Sequence, residues 1–491
     1  MTRTRGAGVR CGALALGVAV FLVVAAGIEA QGSAPMGKKK PATVKALFVS
    51  DIHLDPFWDP SKVDRLKDAR VSEWKAILAG PEAADRAERF AQLEQACKMR
   101  VSPDTSYELY ASSLRAISRD ASGAKFVVLS GDLMAHEFEC KFTTLVPQAK
   151  PGEYRLFAEK TIEFVMRELR GALPGVPVYA ALGNNDSDCG DYQLDANGAF
   201  LKVAGASMTS DLRAGDRAEA LRTFAEGGFF TARLPAPLER TRILVLDDLF
   251  MSQRYETCGG KDDPAPAASQ IEWLKQQLDA ARRNHYKVWV MTHIPPGVNI
   301  YSTVTKGIDV CGGGQPQMFL KTEALAEAIA GYGDVIQLAI FAHTHMDEMR
   351  LLRPKEQGEP PEGVAIKMVG SISPIGGNNP SFTMAQIDAA TSEMKDYRVF
   401  AASDKNGAHW SEEYDFDETY KEPAFTAATA GDLIAGFKAD PNAQAETSAS
   451  YIQNFDSRGA GLKALKPLWK TYTCELMGEG AEAFKECVCG K

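Results

Sequence analysis

The segment YAALGNNDSDCG, residues 179–190, passes directly from an apolar run into a cluster of short polar side chains. The apolar half has the composition of a buried strand. The polar half has the composition of a turn, because Gly, Asn and Asp tolerate left-handed backbone and bond their own main chain. The segment therefore predicts a strand that ends in a tight loop. Whether the Asn-Asn-Asp cluster has a further role depends on the side chains at the ends of the other strands.

Short runs rich in β-branched and apolar residues recur along the chain and have the length of strands. They cover residues 44–49, 125–129, 176–182, 242–246, 287–291 and 335–341, and later residues 364–369, 384–387 and 397–401. Helical patterns lie between the early runs, at residues 82–98, 107–119, 157–170 and 270–283. This alternation predicts an α/β architecture with a largely buried central sheet. From about residue 404 the strand signals fade, and helical or irregular sequence continues to the C-terminus.

Side chains that bind metals come directly after several of the early strands. The chain contains seven histidines, and five of them lie at predicted strand ends. The side chains are Asp51 and His53 in FVSDIHLD, Asp132 and His136 in VVLSGDLMAH, Asn184, Asn185 and Asp186 in ALGNND, His293 in VMTHIPPG, and His343 and His345 in IFAHTHMDE. Ligands of open α/β sheets bind beyond the carboxyl ends of the strands, so these loops are expected to converge. A single histidine is more often a core or surface residue, but five together predict a site.

The donor types at these strand ends favour a transition-metal centre. Alternation along a strand is expected to point Asp51 and His53 the same way, so that both reach one cation. His343 and His345 have the same spacing, although a turn between them would direct them to different ions. Imidazole, carboxylate and amide donors suit zinc, manganese or iron rather than calcium. The donors at these strand ends exceed the needs of one four-coordinate ion and predict two ions that share a bridging carboxylate.

Composition and charge exclude some classes of partner. The 491 residues are 45% hydrophobic and 24% charged, which is typical of a globular protein with an ample core. The formal net charge is −9, and the only basic run is Lys38-Lys39-Lys40, which disfavours nucleic acid as the main partner. Affinity for an anionic phosphate must therefore come from groups in the binding site itself rather than from the overall charge.

The N-terminus and the cysteines indicate export. Residues 1–30 combine arginines, an apolar run over residues 11–28 and a small residue, Ala30, at the end; they predict a cleaved signal peptide, with a retained anchor as the alternative. Residues 31–43 are predicted to form a polar linker, and no transmembrane segment is expected later. Removing Cys11 leaves eight cysteines, which predict up to four disulfides of undetermined pairing in a secreted or periplasmic protein.

Asp51-x-His53, Gly131-Asp132, Gly183-Asn184, His293 and His343-Thr344-His345 occur in this order along the chain. The order resembles the signature of the calcineurin-like metallophosphoesterase superfamily. Within it, the chain is similar to the acid sphingomyelinase-like phosphodiesterase branch, through SGDLMAH, QIEWLKQQL…HIPPG, SISPIGGNNPSF and WSEEYDFDETY. The resemblance extends from residue 44 to the C-terminus.

The resemblance implies a four-layer αββα sandwich, an α/β fold of two packed sheets flanked by helices. A catalytic domain would cover residues 44–403, and strands after Asp347 would complete the second sheet. Residues 404–491 would form a C-terminal helical or irregular extension stapled by disulfides.

The resemblance also implies a set of metal ligands. One ion would be held by Asp51, His53, Asp132 and His345, and the other by Asp132, Asn184, His293 and His343, with Asp132 bridging. Two zinc ions are usual in this branch, and manganese or iron would suit the same donors.

The sequence departs from the family pattern at three points. Most members have a histidine where Asn185 stands, Ala342 replaces the glycine of the last motif, and we expect no saposin-like lipid-binding domain before the first strand. A histidine at position 185 could bind phosphate or protonate a leaving group, whereas an amide can only do the first. We therefore predict that Asn185 donates a hydrogen bond to a phosphoryl oxygen and that His136 supplies the proton, so both are catalytic and substrate-binding residues. Asp186 is expected to support its loop.

These features predict a secreted dinuclear-metal hydrolase of phosphodiester or pyrophosphate bonds. A hydroxide that bridges the two ions would attack phosphorus in line. The expected substrates are small phosphodiesters, nucleotides or phospholipid headgroups. Endopolyphosphatase activity is an alternative, because some such relatives carry Asn at the position of Asn185. Sphingomyelin hydrolysis is another, which the missing lipid-lifting domain disfavours. A non-catalytic binding protein on this scaffold is the third, although such scaffolds usually lose ligands and this sequence retains every expected one.

Overall fold

A computed structural model describes residues 42–99, 103–354, 363–459, 462–478 and 480–490. The predicted signal peptide and nearly all of the predicted linker lie outside these residues. In the described part of the chain, we find no helix with the length and apolar character that crossing a membrane requires.

Strands and helices alternate through most of the described chain. The strands are β1 (Thr43–Val49), β2 (Phe126–Ser130), β3 (Val178–Ala181), β4 (Phe230–Arg233), β5 (Thr241–Val245), β6 (Lys287–Met291), β7 (Ile336–Phe341), β8 (Met349–Leu352), β9 (Val364–Met368), β10 (Ser381–Asp388), β11 (Met394–Ala402) and β12 (Trp410–Asp415). The α-helices are α1 (Val63–Asp68), α2 (Val71–Leu78), α3 (Arg86–Ala96), α4 (Tyr107–Asp120), α5 (Phe138–Leu145), α6 (Glu153–Ala172), α7 (Ala199–Met208), α8 (Ala214–Gly227), α9 (Ala265–Asn284), α10 (Ile300–Thr305), α11 (Ala324–Ala330), α12 (Phe416–Tyr420), α13 (Ala427–Ala439), α14 (Glu446–Asn454), α15 (Leu462–Glu475) and α16 (Ala481–Cys489).

The described strands form two mixed sheets. The first has the order β12-β11-β10-β1-β2-β3, in which β1, β2 and β3 are parallel and β10 to β12 run antiparallel to their neighbours. The second has the order β4-β5-β6-β7-β9-β8, in which only the edge strands β4 and β8 are antiparallel to their neighbours. The predicted α/β sandwich of two sheets flanked by helices is confirmed. The strands after Asp347 do not all complete the second sheet, because β10 pairs with the edge of β1 that β2 leaves open.

Alternate side chains of the central strands pack into two hydrophobic cores, one between the two sheets and one between a sheet and its helices. Trp289 of β6 contacts Phe48 of β1 and Phe126 of β2, with ring centroids 5.9 and 5.7 Å apart, so the two sheets pack face to face. The next residue, Val290, points to the opposite face and belongs to a core that includes Leu274 of α9. Both faces of these strands are covered, which explains their nearly continuous apolar sequence.

Three strands carry no sequence signal that predicts them. β4 and β8 are four-residue strands at the edges of the second sheet. β12 has the polar sequence WSEEYD and forms the edge of the first sheet by pairing with β11. The expectation that strands end near residue 404 is therefore wrong, because pairing with a neighbour stabilises an edge strand that buries few apolar side chains itself. The domain boundary at that residue stays a prediction.

Four disulfides join the described cysteines. They are Cys97–Cys140, Cys189–Cys258, Cys311–Cys489 and Cys474–Cys487. The predicted disulfides are thus present. Cys311–Cys489 connects the loop after α10 with α16, and Cys474–Cys487 connects α15 with α16. These two disulfides therefore staple the C-terminal segment as expected.

Candidate metal centre

Left-handed turns at the carboxyl ends of β1, β2 and β7 carry five of the predicted ligands. The φ angles are 46° at Asp51, 45° at His53, 54° at Asp132, 72° at His343 and 68° at His345. Non-glycine residues rarely adopt this conformation, and a concentration of them in one place is typical of a functional site. β1 ends before Asp51, so Asp51 and His53 do not converge through strand alternation as predicted. They converge because the turns fold the loop over the edge of the sheet.

Asp132 lies between two groups of imidazoles. Its Oδ2 atom is 3.4 Å from Nε2 of His53 and 3.1 Å from Nε2 of His293. The same carboxylate accepts two hydrogen bonds from Asn185, one from the backbone N–H to Oδ1 (2.9 Å) and one from the side-chain amide to Oδ2 (2.8 Å). A carboxylate between two histidine nitrogens has the position expected of a ligand shared by two ions.

Asp51, His53 and Asp132 form one buried cluster of potential ligands, which His345 extends. Nε2 of His345 lies 3.2 Å from Nε2 of His53 and 3.4 Å from Oδ1 of Asp51. Both carboxylate oxygens of Asp51 are buried and accept no hydrogen bond from the described residues. A buried carboxylate without donors is costly unless a cation compensates it, so this donor set fits a divalent ion.

Asp132, His293 and His343 form the second cluster. Nδ1 of His343 lies 3.3 Å from Nε2 of His293. Asn184 is 2% exposed, and its side-chain oxygen has no hydrogen-bond partner among the described residues, which fits a cation ligand. His343 and His345 therefore face different clusters, which is the arrangement that a turn between them permits.

Backbone carbonyls orient two of these histidines. Nδ1 of His53 is 2.9 Å from the carbonyl oxygen of Met134, and Nδ1 of His293 is 2.8 Å from that of Ser130. The Nδ1–H group of each ring donates to the carbonyl, which leaves Nε2 to face Asp132. Outer hydrogen bonds of this kind fix the tautomer and orientation of histidines that bind metals.

Gly131 and Gly183 permit the close approach of the loops. Gly131 has a φ of +96°, and a Cβ there would lie 2.7 Å from Nδ1 of His293. A Cβ on Gly183 would lie 2.1 Å from Oδ1 of Asp132. A larger residue at either position would displace a candidate ligand, so both glycines of the sequence motifs follow from the packing of the site.

Protons balance the charges of the described side chains. Burial lowers the pKa of His53 and His293, but the surrounding carboxylates, Asp132 foremost, together raise it to about 9 and about 10. Burial lowers the pKa of His343 to about 3 and that of His345 to about 4. Two imidazolium rings therefore compensate the carboxylates at neutral pH, and divalent ions would replace those protons on binding.

His136 stands beside the first cluster. Its ring stacks on that of His53 with 4.3 Å between centroids, and it lies with His53 and His345 within ligand distance of one another. Its Nδ1 is 3.0 Å from Oδ1 of the buried Asp104, while the ring itself is 31% exposed. Asp104 thus fixes the ring and leaves Nε2 open. The sequence motifs do not reveal Asp104, because no local pattern connects it with a residue 32 positions away.

Asn185 and Asp186 both connect loops of the site. Asp186 accepts hydrogen bonds from the backbone N–H groups of Leu133 (2.8 Å) and Gly183 (2.9 Å), so it supports its loop as predicted. Asn185 is buried and directs its amide to Asp132. Its contact with a substrate stays a prediction.

Two further residues position candidate ligands and carry no sequence signal. Oδ1 of Asp248 accepts a hydrogen bond from the backbone N–H of Ile294 at 3.0 Å, next to His293. The hydroxyl of Tyr192 lies 3.5 Å from Nε2 of His343. Both contacts join segments that are distant in sequence, and the order of the motifs assigns neither residue a role.

Comparison with known proteins agrees with this geometry. The calcineurin-like phosphoesterase family matches residues 44–347, more than half of the sequence. The chain belongs to the calcineurin-like phosphoesterase family. It is therefore a hydrolytic enzyme that acts on phosphoric esters, and its clusters around Asp132 are candidate ligands for the dimetal centre that this family binds.

Individual relatives support the predicted resemblance to the acid sphingomyelinase-like branch. The acid sphingomyelinase-like phosphodiesterase 3b of Mus musculus is 25% identical over 427 residues, 83% of each chain. The cyclic GMP-AMP phosphodiesterase SMPDL3A of Mus musculus is 24% identical over 464 residues, 92% of this chain and 93% of the relative. The sphingomyelinase phosphodiesterase C of Dictyostelium discoideum is 25% identical over 310 residues, 60% of this chain and 62% of the relative. A crystal structure of a dimetal phosphatase from Danio rerio matches 79% of this chain at 11% identity, with a TM-score of 0.41.

Proposed function

We propose that the protein is a secreted dinuclear-metal phosphodiesterase that hydrolyses small phosphodiesters or pyrophosphate-linked compounds. The observation that carries the proposal is the position of Asp132, whose Oδ2 atom lies within 3.4 Å of nitrogens from both groups of histidines. The carboxylate oxygens of Asp51 support it, because they are buried and accept no hydrogen bond from the described residues, and a bound cation would compensate them.

The two clusters supply the ligands of two ions in this proposal. Asp51, His53, Asp132 and His345 hold one, and Asp132, Asn184, His293 and His343 hold the other. Zinc suits these imidazole, carboxylate and amide donors, and manganese or iron would be accepted by the same set. Bound ions supply Lewis acidity that polarises the phosphoryl group and activates water. The protein contributes the fixed ring orientations and the shared carboxylate.

His136 is the proton donor to the leaving group in this proposal. Its Nδ1–H donates to the Asp104 carboxylate, which holds the ring in its orientation. The proton that is transferred is the one on Nε2, the ring nitrogen that Asp104 does not hold, on a side chain that is partly exposed. Asn185 keeps the Asp132 carboxylate in place through its side-chain amide and is our candidate for a hydrogen bond to a phosphoryl oxygen.

The relatives support a substrate class. Two relatives that match most of the chain are described as acid sphingomyelinase-like and cyclic GMP-AMP phosphodiesterases, which supports small phosphodiesters and nucleotides as substrates. Sphingomyelin is the second candidate, because another relative is described as a sphingomyelinase phosphodiesterase. Endopolyphosphatase activity is supported only by the residue at position 185. Export is supported by the four disulfides, since such bonds persist in oxidising compartments.

Metal analysis combined with a substrate panel tests the proposal. Purified protein loaded with zinc should bind about two ions per chain, as a bridged dinuclear site requires. It should hydrolyse bis(p-nitrophenyl) phosphate and ATP faster than sphingomyelin in vesicles or polyphosphate. Folded protein that binds no metal would overturn the ligand assignment. Metal-loaded protein that hydrolyses none of the four compounds would instead favour a binding protein on this scaffold.

A further inference from the structure

Arg254 and Tyr192 form a cationic edge next to the candidate metal centre. The guanidinium carbon of Arg254 lies 3.9 Å from the ring centroid of Tyr192. The hydroxyl of Tyr192 lies 3.5 Å from Nε2 of His343, whose other ring nitrogen faces His293. A single aromatic ring therefore separates the guanidinium from a candidate metal ligand.

Backbone pairing and a disulfide keep this edge in place. The N–H group of Tyr192 donates to the carbonyl of Asn184 at 2.8 Å, and the N–H group of Glu256 donates to the carbonyl of Tyr192 at 3.1 Å. The Cys189–Cys258 disulfide closes the same two segments. The position of the arginine is thus tied to the loop that carries a candidate metal ligand.

The charge of Arg254 is available to a ligand. The residue is exposed, and its guanidinium forms no ion pair with a carboxylate in the part of the chain that the structure describes. The formal net charge of −9 provides no general attraction for anions. At position 185, beside the candidate centre, the side chain is a neutral amide. A second anionic group on a substrate would therefore find its compensating charge at Arg254.

We propose that Arg254 binds a second phosphate of the substrate, beside the phosphoryl group that is hydrolysed. This inference rests on the proposed function and narrows its substrate class to compounds with two phosphates in succession, such as nucleoside diphosphates and triphosphates. The planar guanidinium presents paired N–H donors that match two phosphate oxygens. The face of Tyr192 holds the cation in place by a cation–π contact.

The same residue disfavours a zwitterionic headgroup. Sphingomyelin has one phosphate, and a quaternary ammonium lies beyond it. Arg254 would then face a cation where a nucleotide presents an anion, and like charges in contact reduce affinity for the wrong ligand.

Replacing Arg254 tests the inference through a ratio of two activities. The substrates are ATP, which carries successive phosphates, and bis(p-nitrophenyl) phosphate, which carries one. Arg254→Gln should lower the ratio of kcat/KM for ATP to that for bis(p-nitrophenyl) phosphate by about 10- to 100-fold, the range for loss of a hydrogen bond to a charged group. The change should lie mainly in KM and should shrink at high ionic strength, because salt screens an exposed charge.

Arg240→Gln is the matched control. Arg240 is also exposed and stacks on an aromatic ring, Tyr286, at 5.7 Å, but it precedes β5 and so lies at the end of the sheet away from the candidate centre. The control removes the same charge and should leave the ratio unchanged. Equal ratios in wild type, Arg254→Gln and Arg240→Gln would overturn the inference while the proposed function stands.

A binding measurement tests the role of Arg254 separately from the proposed phosphodiesterase function if no hydrolysis is detected. If metal-loaded wild type hydrolyses neither substrate, the proposed function falls, and calorimetry with α,β-methylene ADP and inorganic phosphate then tests Arg254 alone. Arg254→Gln should weaken binding of the analogue more than binding of phosphate. Equal weakening of both ligands would overturn the inference.

Discussion

Two regions of this protein bury charged groups, and they do so in opposite ways. At the candidate metal centre, Asp51 and Asp132 face histidine nitrogens, and the two oxygens of Asp51 accept no hydrogen bond from the described residues. Where the C-terminal helices meet β8, the buried Arg350 forms ion pairs with Glu475 at 2.6 Å and Glu348 at 3.3 Å, and the hydroxyl of Tyr472 donates to Glu348 at 2.8 Å.

The difference shows what each region is built to do. In the second region the protein supplies the cation itself, so the cluster attaches α15 to the second sheet without any added component. In the first region the donors point inwards at one another, and only protons or metal ions complete the set. A buried polar cluster in which a side chain supplies a permanent cation indicates a structural role, and one whose side chains supply none indicates a binding site.

Asp132→Ala should have the largest effect, because it removes the central carboxylate of the candidate metal centre. Asp132 is the carboxylate between both groups of histidines, so the variant should lose both ions together. We expect the rate of bis(p-nitrophenyl) phosphate hydrolysis to fall about a thousandfold or more, because bound metals contribute several kcal/mol to transition-state stabilisation and about 1.4 kcal/mol corresponds to a tenfold change.

Elemental analysis and the activity assay measure this effect, with Asp247→Asn as the control. Asp247 is a buried carboxylate outside both clusters, and burial raises its pKa well above the ordinary value, so an amide should replace it with little effect. An Asp132→Ala protein that keeps two ions would contradict the bridging assignment.

His136→Ala separates proton donation from phosphate binding. p-Nitrophenolate is a good leaving group and needs little protonation, so the loss of activity should be modest. For an alkyl ester the leaving alkoxide is strongly basic, and the loss should approach about 10²- to 10⁴-fold, the usual range for general acid catalysis.

Asn185→Ala is the comparison for that variant. It should reduce activity by a similar factor on both esters, because phosphoryl contacts matter whichever group departs. Elemental analysis should find both proteins loaded with metal. An equal loss for His136→Ala on the two esters would mean that another group supplies the proton.

Arg350→Met tests the buried cluster that Arg350 forms with Glu348 and Glu475. The change leaves Glu348 and Glu475 buried without their cation, so the free energy of unfolding should fall by about 3–5 kcal/mol. Denaturant titration measures this, with Arg398→Gln as the control. Arg398 is 46% exposed and bridges to Asp415, so its loss should cost about 1 kcal/mol or less. Equal effects of the two changes would show that the buried cluster contributes no more than a surface pair.

Glu475→Gln should act through the pH dependence of stability rather than through a uniform loss of stability. Burial raises the pKa of Glu475 to about 8 in spite of the nearby Arg350, because one guanidinium serves two carboxylates. The folded state therefore holds a proton that the unfolded state releases near pH 4.5. Stability from this group is fully present below pH 4.5 and declines as the pH rises to 8.

Thermal unfolding across this interval tests the sign. The melting temperature of the wild type should fall relative to Glu475→Gln between pH 4.5 and 8, by roughly 2 °C for each kcal/mol of stability in a chain of this size. A wild type that gains stability relative to the variant over the same interval would show that Arg350 favours the ionised carboxylate.

Local sequence determines much of the fold. β6 begins and ends at the predicted residues, β1 begins one residue earlier than predicted, and β2 and β5 are each shifted by one residue at both ends. These strands are predictable because both of their faces are buried and each strand must be apolar along its length. β4, β8 and β12 are not predictable in this way, since they are edge strands held by pairing with a neighbour.

The identity of the candidate ligands is also contained in the sequence, because the chemistry of a metal site restricts the side chains at strand ends to a few types. Tertiary structure alone decides how the eight cysteines pair and that β10 to β12 belong to the first sheet. It also decides the left-handed turns that bring Asp51 and His53 together. It also decides that Asp104 serves His136 and that Tyr192 carries Arg254 to the edge of the centre. Each of these contacts joins segments far apart in the chain, and a periodic pattern of side chains records burial but not which distant segment provides it.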